Sequence, residues 1–594
     1  MILIIILTPN FSLMKKCIFI LMALLLCGSA VLAQQVAIEK SAEFDEPEYG
    51  WNKLLQLKNG NTFYFHSTKR DGIEVTVYNK ERKQISSRTL ESRLWDIGKM
   101  RESKIVGLYE INGEPVLFIV QADDRVPILY RMRINPNNGS IANEFAMGHL
   151  PKVNAFAGYA VAFGHVEPPD IIVEKDPLSD CYAAIYFNSF AHDRSERIKV
   201  VHYDGTHKML GQAYYESPKG AFKYLRYIGA VVDANKRVFI ATYGYNSEVG
   251  EQKSRIIVSR LNAGDTGFVH KLLDFSDDFS DTRSVMLYNH YNNKIQLLTL
   301  SYMESGHHAY SDAPNSFYMH MFMPIANNGI GSRTTLKKQE DYFSMISYLD
   351  PESLTLTGVK ELAGAKVTTY GQQNIDKDYD YDGIPQQMLI NKDNTTTVLS
   401  EEITNVTKEY GSGSGAMYHH SATTHKTLLG PIGISELSDT GAELRGYAIS
   451  KKQQAEGTLP LLYINTRSKG RFNYPQSAAH KTNDNEFLSF DYIDGDKGRY
   501  IVFNDLPVNS DKDEDEEKRK TVTNVSNTNT MCYKLNDPKM DKFFLFGEPG
   551  DKHNSTFCYI ESSDYNKDLN TYATMIVERD GRDKAAKIAW VKFQ

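Results

Sequence analysis

The chain has 594 residues, 41% of them hydrophobic, and a formal net charge of −7, so it can bury a large core but has no general attraction for nucleic acid or anionic membranes. Aromatic residues make up 11% of the chain and favour β-structure. Only three cysteines lie beyond residue 33, which excludes a disulfide scaffold.

The N-terminal residues predict an export signal. Two lysines directly after Met14 precede the apolar residues 17–26, and Val31-Leu32-Ala33 then provides the small residues that signal peptidase requires. We therefore predict a signal peptide over residues 1–33, with Met14 as the true start, and no transmembrane span once it is cleaved. The expected location is the periplasm, the cell surface or the extracellular space.

A lipoprotein signal is the alternative interpretation of the same segment. Cys27 follows an apolar run and precedes Gly28, as a lipidated cysteine does. Lipoprotein processing prefers a small residue immediately before the cysteine, however, and Leu26 is large. Cleavage after residue 33 is therefore favoured over lipid anchoring.

Strand-like runs then follow one another almost to the C-terminus. The clearest set, Tyr227 to Phe275, holds four β-branched and aromatic runs joined by turns such as Asp233–Lys236. This pattern predicts a four-stranded antiparallel meander. Because a similar unit of about fifty residues recurs along the chain, the pattern indicates the blades of a β-propeller.

Seven such units can be delimited in chain order. Each contains apolar runs of strand length separated by Asn, Asp or Gly turns, and no Pro- or Ser-rich linker divides them. Tandem β-sandwich domains, the rival interpretation, would need such linkers, so a single propeller domain over residues 34–594 is favoured. The units are Lys53–Leu90, Ser103–Met147, Ile171–Tyr215, Tyr227–Phe275, Ser284–Leu362, Gln387–Ser450 and Phe487–Phe546.

The ends of the chain indicate how the ring closes. Thr571–Glu578 and Lys587–Phe593 form a hairpin that is one strand short of a blade, and Val36–Phe44 can supply the missing strand. A composite blade of this kind removes the open edge between the first and last blades. We therefore predict seven or eight four-stranded blades closed by N- and C-terminal strands. Trp51 and Trp590 are expected to pack where the ring closes.

Three insertions lengthen the later units, near residues 305–316, 411–426 and 511–520. Loops held on a rigid ring are good recognition surfaces, so these insertions are the predicted binding segments. The basic residues 518–520 directly follow the acidic residues 511–517 and are expected to be neutralised by them. This local balance argues against a nucleic-acid site.

The sharpest chemical motif is an acidic loop, Asp378, Asp380 and Asp382, followed by a glycine. Carboxylates at alternate positions can converge on one hard cation, so the loop is a candidate calcium site. It resembles the opening of an EF-hand loop and the short calcium loops of some propeller blades, although Leu389 stands where an EF-hand needs its bidentate glutamate. The alternative is a solvated acidic turn that binds no ion.

No other pattern identifies a catalytic centre. Cys532 and Cys558 lie in strand-like runs and could form a disulfide, or could remain thiols together with Cys181, and the sequence leaves both open. Histidines that cluster along the chain are expected to be exposed loop residues rather than zinc ligands. These are His307, His308, His419, His420 and His425.

The signal ending in Ala-Gln-Gln, the Tyr- and Asn-rich strands and the absence of known repeat motifs together resemble the uncharacterised exported propeller-like proteins of Bacteroidota. The resemblance implies a periplasmic or cell-surface setting and transfers no activity to any residue. The leading hypothesis is a non-catalytic exported propeller that binds a protein or glycan partner of the cell envelope, with calcium as the candidate cofactor. The alternative is a carbohydrate-active hydrolase or lyase with a site assembled from several blades at the central channel.

Overall fold

The computed structural model is an eight-bladed β-propeller, in which eight antiparallel four-stranded sheets form a ring and two of them carry one short additional strand. It confirms the propeller prediction and sets the blade number at eight. The structure describes residues 36–152, 169–188, 191, 194–215, 222, 224–245, 255–273, 275, 280–302, 342–410, 422–473, 484–510, 518–536, 540–550 and 554–593.

The first four blades are meanders in which the order of strands in the sheet equals their order in the chain. Each runs from an inner strand beside the channel to an outer strand at the rim. The first strand of the protein, β1 (Val36–Lys40), belongs to none of them. Their strands are β2 (Trp51–Gln56), β3 (Thr62–Thr68), β4 (Gly72–Tyr78) and β5 (Gln84–Thr89); β6 (Ser103–Ile111), β7 (Glu114–Asp123), β8 (Val126–Ile134) and β9 (Ile141–His149); β10 (Asp170–Lys175), β11 (Tyr182–Phe187), β12 (Ile198–Tyr203) and β13 (Met209–Tyr215); and β14 (Tyr224–Asp233), β15 (Arg237–Tyr245), β16 (Arg255–Asn262) and β17 (Val269–Leu272).

Blades 5 to 7 keep this order, and blade 8 combines the last three strands of the chain with β1. Two short strands, β26 and β27, are additions to blades 6 and 2. The strands are β18 (Ser280–Asn289), β19 (Lys294–Tyr302), β20 (Tyr342–Leu349) and β21 (Leu356–Glu361); β22 (Ile384–Ile390), β23 (Thr396–Tyr410), β24 (Ala422–Leu437), β25 (Glu443–Ile449) and β26 (Gln453–Glu456); β27 (Phe472–Asn473); β28 (Asp491–Gly495), β29 (Gly498–Asp505), β30 (Asn529–Lys534) and β31 (Asp541–Phe544); and β32 (Asn554–Asn566), β33 (Thr571–Asp580) and β34 (Asp583–Phe593).

Short helices lie in the connections between strands. Among the described residues, none forms a helix long and apolar enough to cross a membrane. The α-helices are α1 (Ala365–Asn374), α2 (Tyr463–Ser468) and α3 (Pro507–Ser510), and 3-10 helices cover Ile97–Glu102, Arg194–Glu196, Asn485–Phe487 and Val525–Asn527.

Blade 8 closes the ring as the sequence predicts. Strand β1 pairs antiparallel with β34, and Val36 lies opposite Phe593. The indole Nε1 of Trp590, on the same strand, donates to the Thr62 hydroxyl of blade 1 at 2.9 Å, so the last blade is also bonded to the first. The prediction for Trp51 is wrong, because that side chain packs with the residues buried between blades 1 and 2.

The core lies between neighbouring blades. Because each blade is covered on both faces, its second strand is buried along most of its length, and all six residues of β11 are buried. This double burial explains why such strands read as near-continuous apolar runs, whereas the rim strand β5 is mostly polar and exposed. Each fully buried Val, Leu or Ile side chain stabilises the fold by about 1.5–3 kcal/mol.

Because neighbouring strands of each blade are antiparallel, the loops between strands emerge on two faces of the ring that differ in loop length. On the turn face, strands 1 and 2 of each blade are joined, often by tight turns such as Asn112–Gly113 and Ala234–Lys236. On the connection face, strands 2 and 3 are joined and each blade leads to the next. The long connections over residues 303–341, 411–421 and 506–528 all start and end on the connection face. The strands that flank the three predicted insertions therefore end on the same face of the ring.

Candidate functional site

The chain between blades 6 and 7 crosses the ring. After β26 it forms α2 and then β27, which pairs antiparallel with the inner strand β6 of blade 2. Blades 6 and 2 stand on opposite sides of an eight-bladed ring, so residues 463–473 pass through the central channel. We call these residues the plug. The sequence patterns assign no element to residues 451–486 and so do not predict the plug.

The tip of the plug is a tight reversal at Gly470, whose φ is 65°. A Cβ at this position would lie 3.1 Å from the Leu108 Cβ, and the left-handed backbone favours glycine as well. The Leu108 amide donates to the Lys469 carbonyl at 3.3 Å. Since Leu108 is the sixth of nine residues in β6, the tip reaches well beyond the mouth of the channel.

Three cationic side chains at alternate positions hold the tip in place. Arg467 Nη2 lies 2.9 Å from an Asp491 carboxylate oxygen of blade 7. Lys469 and Arg471 both bind Glu174 of blade 3, each at 2.8 Å and through a different carboxylate oxygen. These charge-assisted contacts join the plug to opposite sides of the channel.

The electrostatics of the Glu174 group follow from this arrangement. Burial alone would raise the pKa of Glu174, but the guanidinium of Arg471 and the ammonium of Lys469 outweigh it and lower that pKa. Burial in turn lowers the pKa of Lys469. A buried carboxylate shared by two partly buried cations depends on both of them, because Glu174 left alone would be an uncompensated buried charge.

The base of the plug is fixed by a second buried ion pair, between Glu401 and Lys451 of blade 6. Their charged atoms are 2.5 Å apart and both side chains are fully buried. The Tyr463 hydroxyl, at the start of α2, donates to the Glu401 carboxylate, and the Ser489 hydroxyl donates to the same carboxylate at 3.1 Å. Burial lowers the pKa of Lys451, and Glu401 partly opposes that shift.

A further charged group lines the channel where blades 8 and 1 meet. Lys53 Nζ donates to the carbonyls of Ser563 and Glu561, at 2.5 and 3.2 Å. These carbonyls belong to a bulge in β32, where the pairing jumps from Tyr559 to Asp564. Bulges of this kind redirect side chains and are frequent next to binding and catalytic sites.

The acids of this group have perturbed pKa values. Burial raises the pKa of Glu561 and of Asp564, and Lys53 partly offsets both shifts. Burial lowers the pKa of Lys53 itself. Among the described residues, no hydrogen bond or ion pair within 4.0 Å engages the Glu561 carboxylate. Carboxyl groups whose pKa is raised by burial beside a charged partner are candidates for acid–base catalysis.

The predicted calcium ligands lie between α1 and β22, on the connection from blade 5 to blade 6. Asp378, Asp380 and Asp382 are all exposed, and Lys377 Nζ lies 3.9 Å from the Asp378 carboxylate. Within the ranges that the structure describes, no three His, Cys, Asp or Glu side chains are grouped so as to hold a metal ion. Calcium at this loop stays a prediction.

The same loop has a packing role that the acidic pattern conceals. Tyr379 and Tyr381 alternate with the aspartates and are buried. A Cβ at Gly383 or Gly433 would overlap the ring of Tyr381, so both glycines make room for it. Burial raises the pKa of Tyr381 well above its usual value. The glycine that follows the motif is therefore explained by tyrosine packing.

Other sequence expectations have mixed outcomes. Cys181, Cys532 and Cys558 are buried free thiols, so the alternative of a disulfide is not realised. Arg519, expected to be neutralised by the acidic run before it, is buried and pairs with Asp505, at 2.5 Å. His425 lies in strand β24 rather than in a loop. Several other predictions fall on residues outside the described ranges. These are the signal peptide, Cys27, residues 305–316, 411–421 and 511–517, and the other four clustered histidines.

The connection face also carries a groove of about 580 Å³ between blades 7 and 8. Its wall includes Glu548, Asp580 and Asp583 together with the basic residues Arg579 and Lys584. Arg579 donates to the Ser526 carbonyl at 2.9 Å, so its charge is directed partly away from the groove. The groove is concave, polar and rich in carboxylates.

Comparison with known proteins gives no family for this chain: no protein-family model matches it, and no curated protein matches it. Among solved structures it is similar to the polysaccharide lyase Uly1, with 7% identity, a TM-score of 0.34 and coverage of 82% of this chain and 90% of that protein. It is also similar to prolyl oligopeptidase B from Galerina marginata, with 8% identity, a TM-score of 0.36 and coverage of 92% of this chain and 55% of that protein. A third similar structure is a protein of unknown function from Bacteroides caccae, with 9% identity, a TM-score of 0.24 and coverage of 53% and 83%.

Proposed function

We propose that the protein is an exported, non-catalytic β-propeller that binds a protein or glycan partner of the cell envelope through its connection face. The observation that carries the proposal is the asymmetry of the ring. The strands that flank all three long insertions end on the face that carries the groove between blades 7 and 8, whereas the opposite face carries many tight turns. Variable loops on a rigid scaffold are the usual location of recognition residues.

Among the described residues, the hairpin of blade 6 has the longest run of paired strands and projects from this face. Strands β23 and β24 keep pairing beyond the blade, from Ile403 opposite Leu429 to Tyr410 opposite Ala422. Strand β26 pairs with the part of β24 that leaves the blade. A sheet that projects in this way offers both side chains and backbone groups to a partner.

The filled channel supports binding over catalysis at the centre of the ring. A hydrolase site there would need room for a substrate, and the plug occupies that space and uses Glu174 and Asp491 in internal ion pairs. Recognition at the connection face needs no such room.

The test is affinity capture with a matched pair of variants. In the first variant, residues 411–421 are replaced by Asn-Gly, which is the preferred two-residue turn for a hairpin that ends at Tyr410 and Ala422. In the control, a Gly-Ser pair is inserted after the exposed Asp439 on the turn face. Immobilised protein is cross-linked to envelope extract, and a glycan array is probed in parallel. The proposal expects one ligand that the wild type and the control retain and the hairpin variant loses. Equal capture by all three proteins, or capture by none, contradicts it.

Export has its own measurement. Cell fractionation followed by N-terminal sequencing should give a mature chain that starts at Gln34. A cytoplasmic chain that keeps residues 14–33 would contradict the localisation.

The enzyme alternative is favoured by one observation, the group formed by Lys53, Glu561 and Asp564, in which both carboxyls have raised pKa values. A hydrolase or lyase would use Glu561 as the acid or base. The enzyme alternative is established if the protein depolymerises envelope or plant polysaccharides and Glu561→Gln abolishes that activity. If a broad panel of polysaccharides shows no turnover, the binding function is favoured.

A further inference from the structure

We infer that the central channel is a binding site for a cationic peptide segment and that the plug is its internal occupant. The inference does not depend on the connection face. The plug shows which groups the channel offers: carboxylates on two sides, backbone carbonyls that accept from its arginines, and the inner edge of β6, with which β27 pairs. Such groups recognise a basic segment whose end adds to the edge of a sheet.

The carboxylates select positive charge. Glu174 forms ion pairs with Lys469 and Arg471, and Asp491 forms one with Arg467. Every cationic side chain of the plug is thus paired with a carboxylate of the ring. Arg467 lies in α2 and its acid stands across the channel from Glu174, so the occupant is a compact turn that presents cations to both sides of the channel.

Backbone carbonyls add recognition that does not depend on charge balance. The Arg471 guanidinium donates to the Val173 carbonyl at 2.9 Å, and the Arg467 guanidinium donates to the Phe490 carbonyl at 2.6 Å. Phe472 pairs with Ile105 of β6 and stacks on Trp51, with ring centroids 6.2 Å apart. A planar guanidinium with several donors fits such mixed acceptors better than an ammonium does.

The tip and the base of the plug are held by different forces. Leu462 and Ile464 at the base belong to hydrophobic cores of the ring. From Arg467 to Arg471 the described contacts are polar and directed to other blades. The tip can therefore be exchanged for another segment of the same chemistry while the base stays packed.

An empty channel is unfavourable, which is why an occupant is needed. Without Lys469 and Arg471, the carboxylate of Glu174 would remain buried with no cation. Removing one side of a buried ion pair is strongly destabilising, whereas a matching cation restores it. A neutral or acidic peptide cannot replace the plug for the same reason.

The experiment supplies the plug in trans. In the test variant, residues 467–472 are replaced by a Gly-Ser linker of equal length, which keeps the base. The probe is a labelled peptide with the sequence of residues 463–473, and the matched control peptide has Gln in place of its three cationic residues. We expect saturable one-to-one binding of the cationic peptide to the variant, binding of the control peptide that is at least 100-fold weaker, and no binding of either to the wild type. Glu174→Gln in the variant should remove most of the difference between the peptides.

Equal binding of the two peptides, or no binding to a variant that is folded by circular dichroism and gel filtration, overturns the inference. If the linker variant does not fold, the same peptides are tested on Arg467→Gln/Arg471→Gln, in which the plug is present but its attachment is weakened. Selective binding of the cationic peptide supports the inference there, and its absence overturns it.

Discussion

The buried pair of Glu401 and Lys451 gives the sharpest test of how the plug is held. We consider Lys451→Met, which keeps the length of the side chain and removes its charge. Glu401 would then be a fully buried carboxylate that accepts only from hydroxyl groups such as those of Tyr463 and Ser489. Because the fully buried carboxylate would lose its cation, the folded state should lose about 3–5 kcal/mol.

Two comparisons isolate the charge. In Glu401→Gln/Lys451→Met both charges are absent, so much of the loss should be recovered and the double-mutant cycle should show a large coupling. The neighbouring pair Lys426 and Glu456 is 3.5 Å apart and partly exposed, and Lys426→Met should cost at most about 1 kcal/mol.

The assay is equilibrium urea unfolding followed by tryptophan fluorescence, since all three tryptophans are buried. Hydrogen exchange at the Ser489 amide provides a local reading, because this amide donates to Gln453 Oε1 at 2.7 Å beside the pair. Lys451→Met should speed this exchange, and the double variant should restore it. The reasoning is refuted if Lys451→Met costs no more than Lys426→Met.

Three further predictions follow from the pH response, the ring closure and the acidic loop. The pKa of Glu561 is raised in the folded state, so this carboxyl binds a proton more tightly when the protein is folded. The free energy of unfolding should therefore fall as the pH rises from about 4.3 through the folded pKa. Glu561→Gln should remove this fall and be more stable than the wild type at pH 7–8 in urea unfolding, and parallel pH curves for the two proteins would contradict the prediction. Ala37→Pro should disrupt the pairing of β1 with Lys592 and speed hydrogen exchange in β34 but not in β15, and uniform exchange across the ring would show that β1 is not the closing element. If the acidic loop binds calcium, calcium should raise the midpoint of thermal unfolding above that measured with chelator, and Asp380→Asn should abolish the difference; equal midpoints for the wild type exclude the site.

The sequence was sufficient for the architecture because the blades are built from local signals. The Tyr182–Phe187 run is apolar throughout, as expected for a strand buried on both faces, and Asn112–Gly113 marks a tight hairpin turn. The closing strand was predictable too, because the C-terminal hairpin lacks one strand and Val36–Phe44 is available. Blade number was not, since long insertions blur the repeat.

The plug and the channel charges could not be found from sequence because their partners are remote. Lys469 lies 295 positions from Glu174, and no periodicity marks residues 463–473 as a unit. The run of alternate cations, Arg467, Lys469 and Arg471, is visible in the sequence, but only topology shows that it faces carboxylates. The acidic loop is easy to find because its charged residues are close together in the sequence. The two tyrosines that alternate with them give no sign in the sequence that they are buried.

The residue that anchors the plug lies in the strand that continues into the projecting hairpin, and we therefore predict that the plug and the hairpin are coupled. Glu401, which holds the base of the plug, is in β23, and the same strand continues from Ile403 into the hairpin. The pairing of β23 with β24 shifts register between these two residues, so a change in the angle of the hairpin would act directly on Glu401. Coupling between two sites is reciprocal. A ligand of the hairpin should therefore change the affinity of the Gly-Ser linker variant for the cationic peptide. The peptide should change the affinity of that variant for the ligand by the same factor. Identical peptide affinities with and without the ligand would show that the face and the channel work separately.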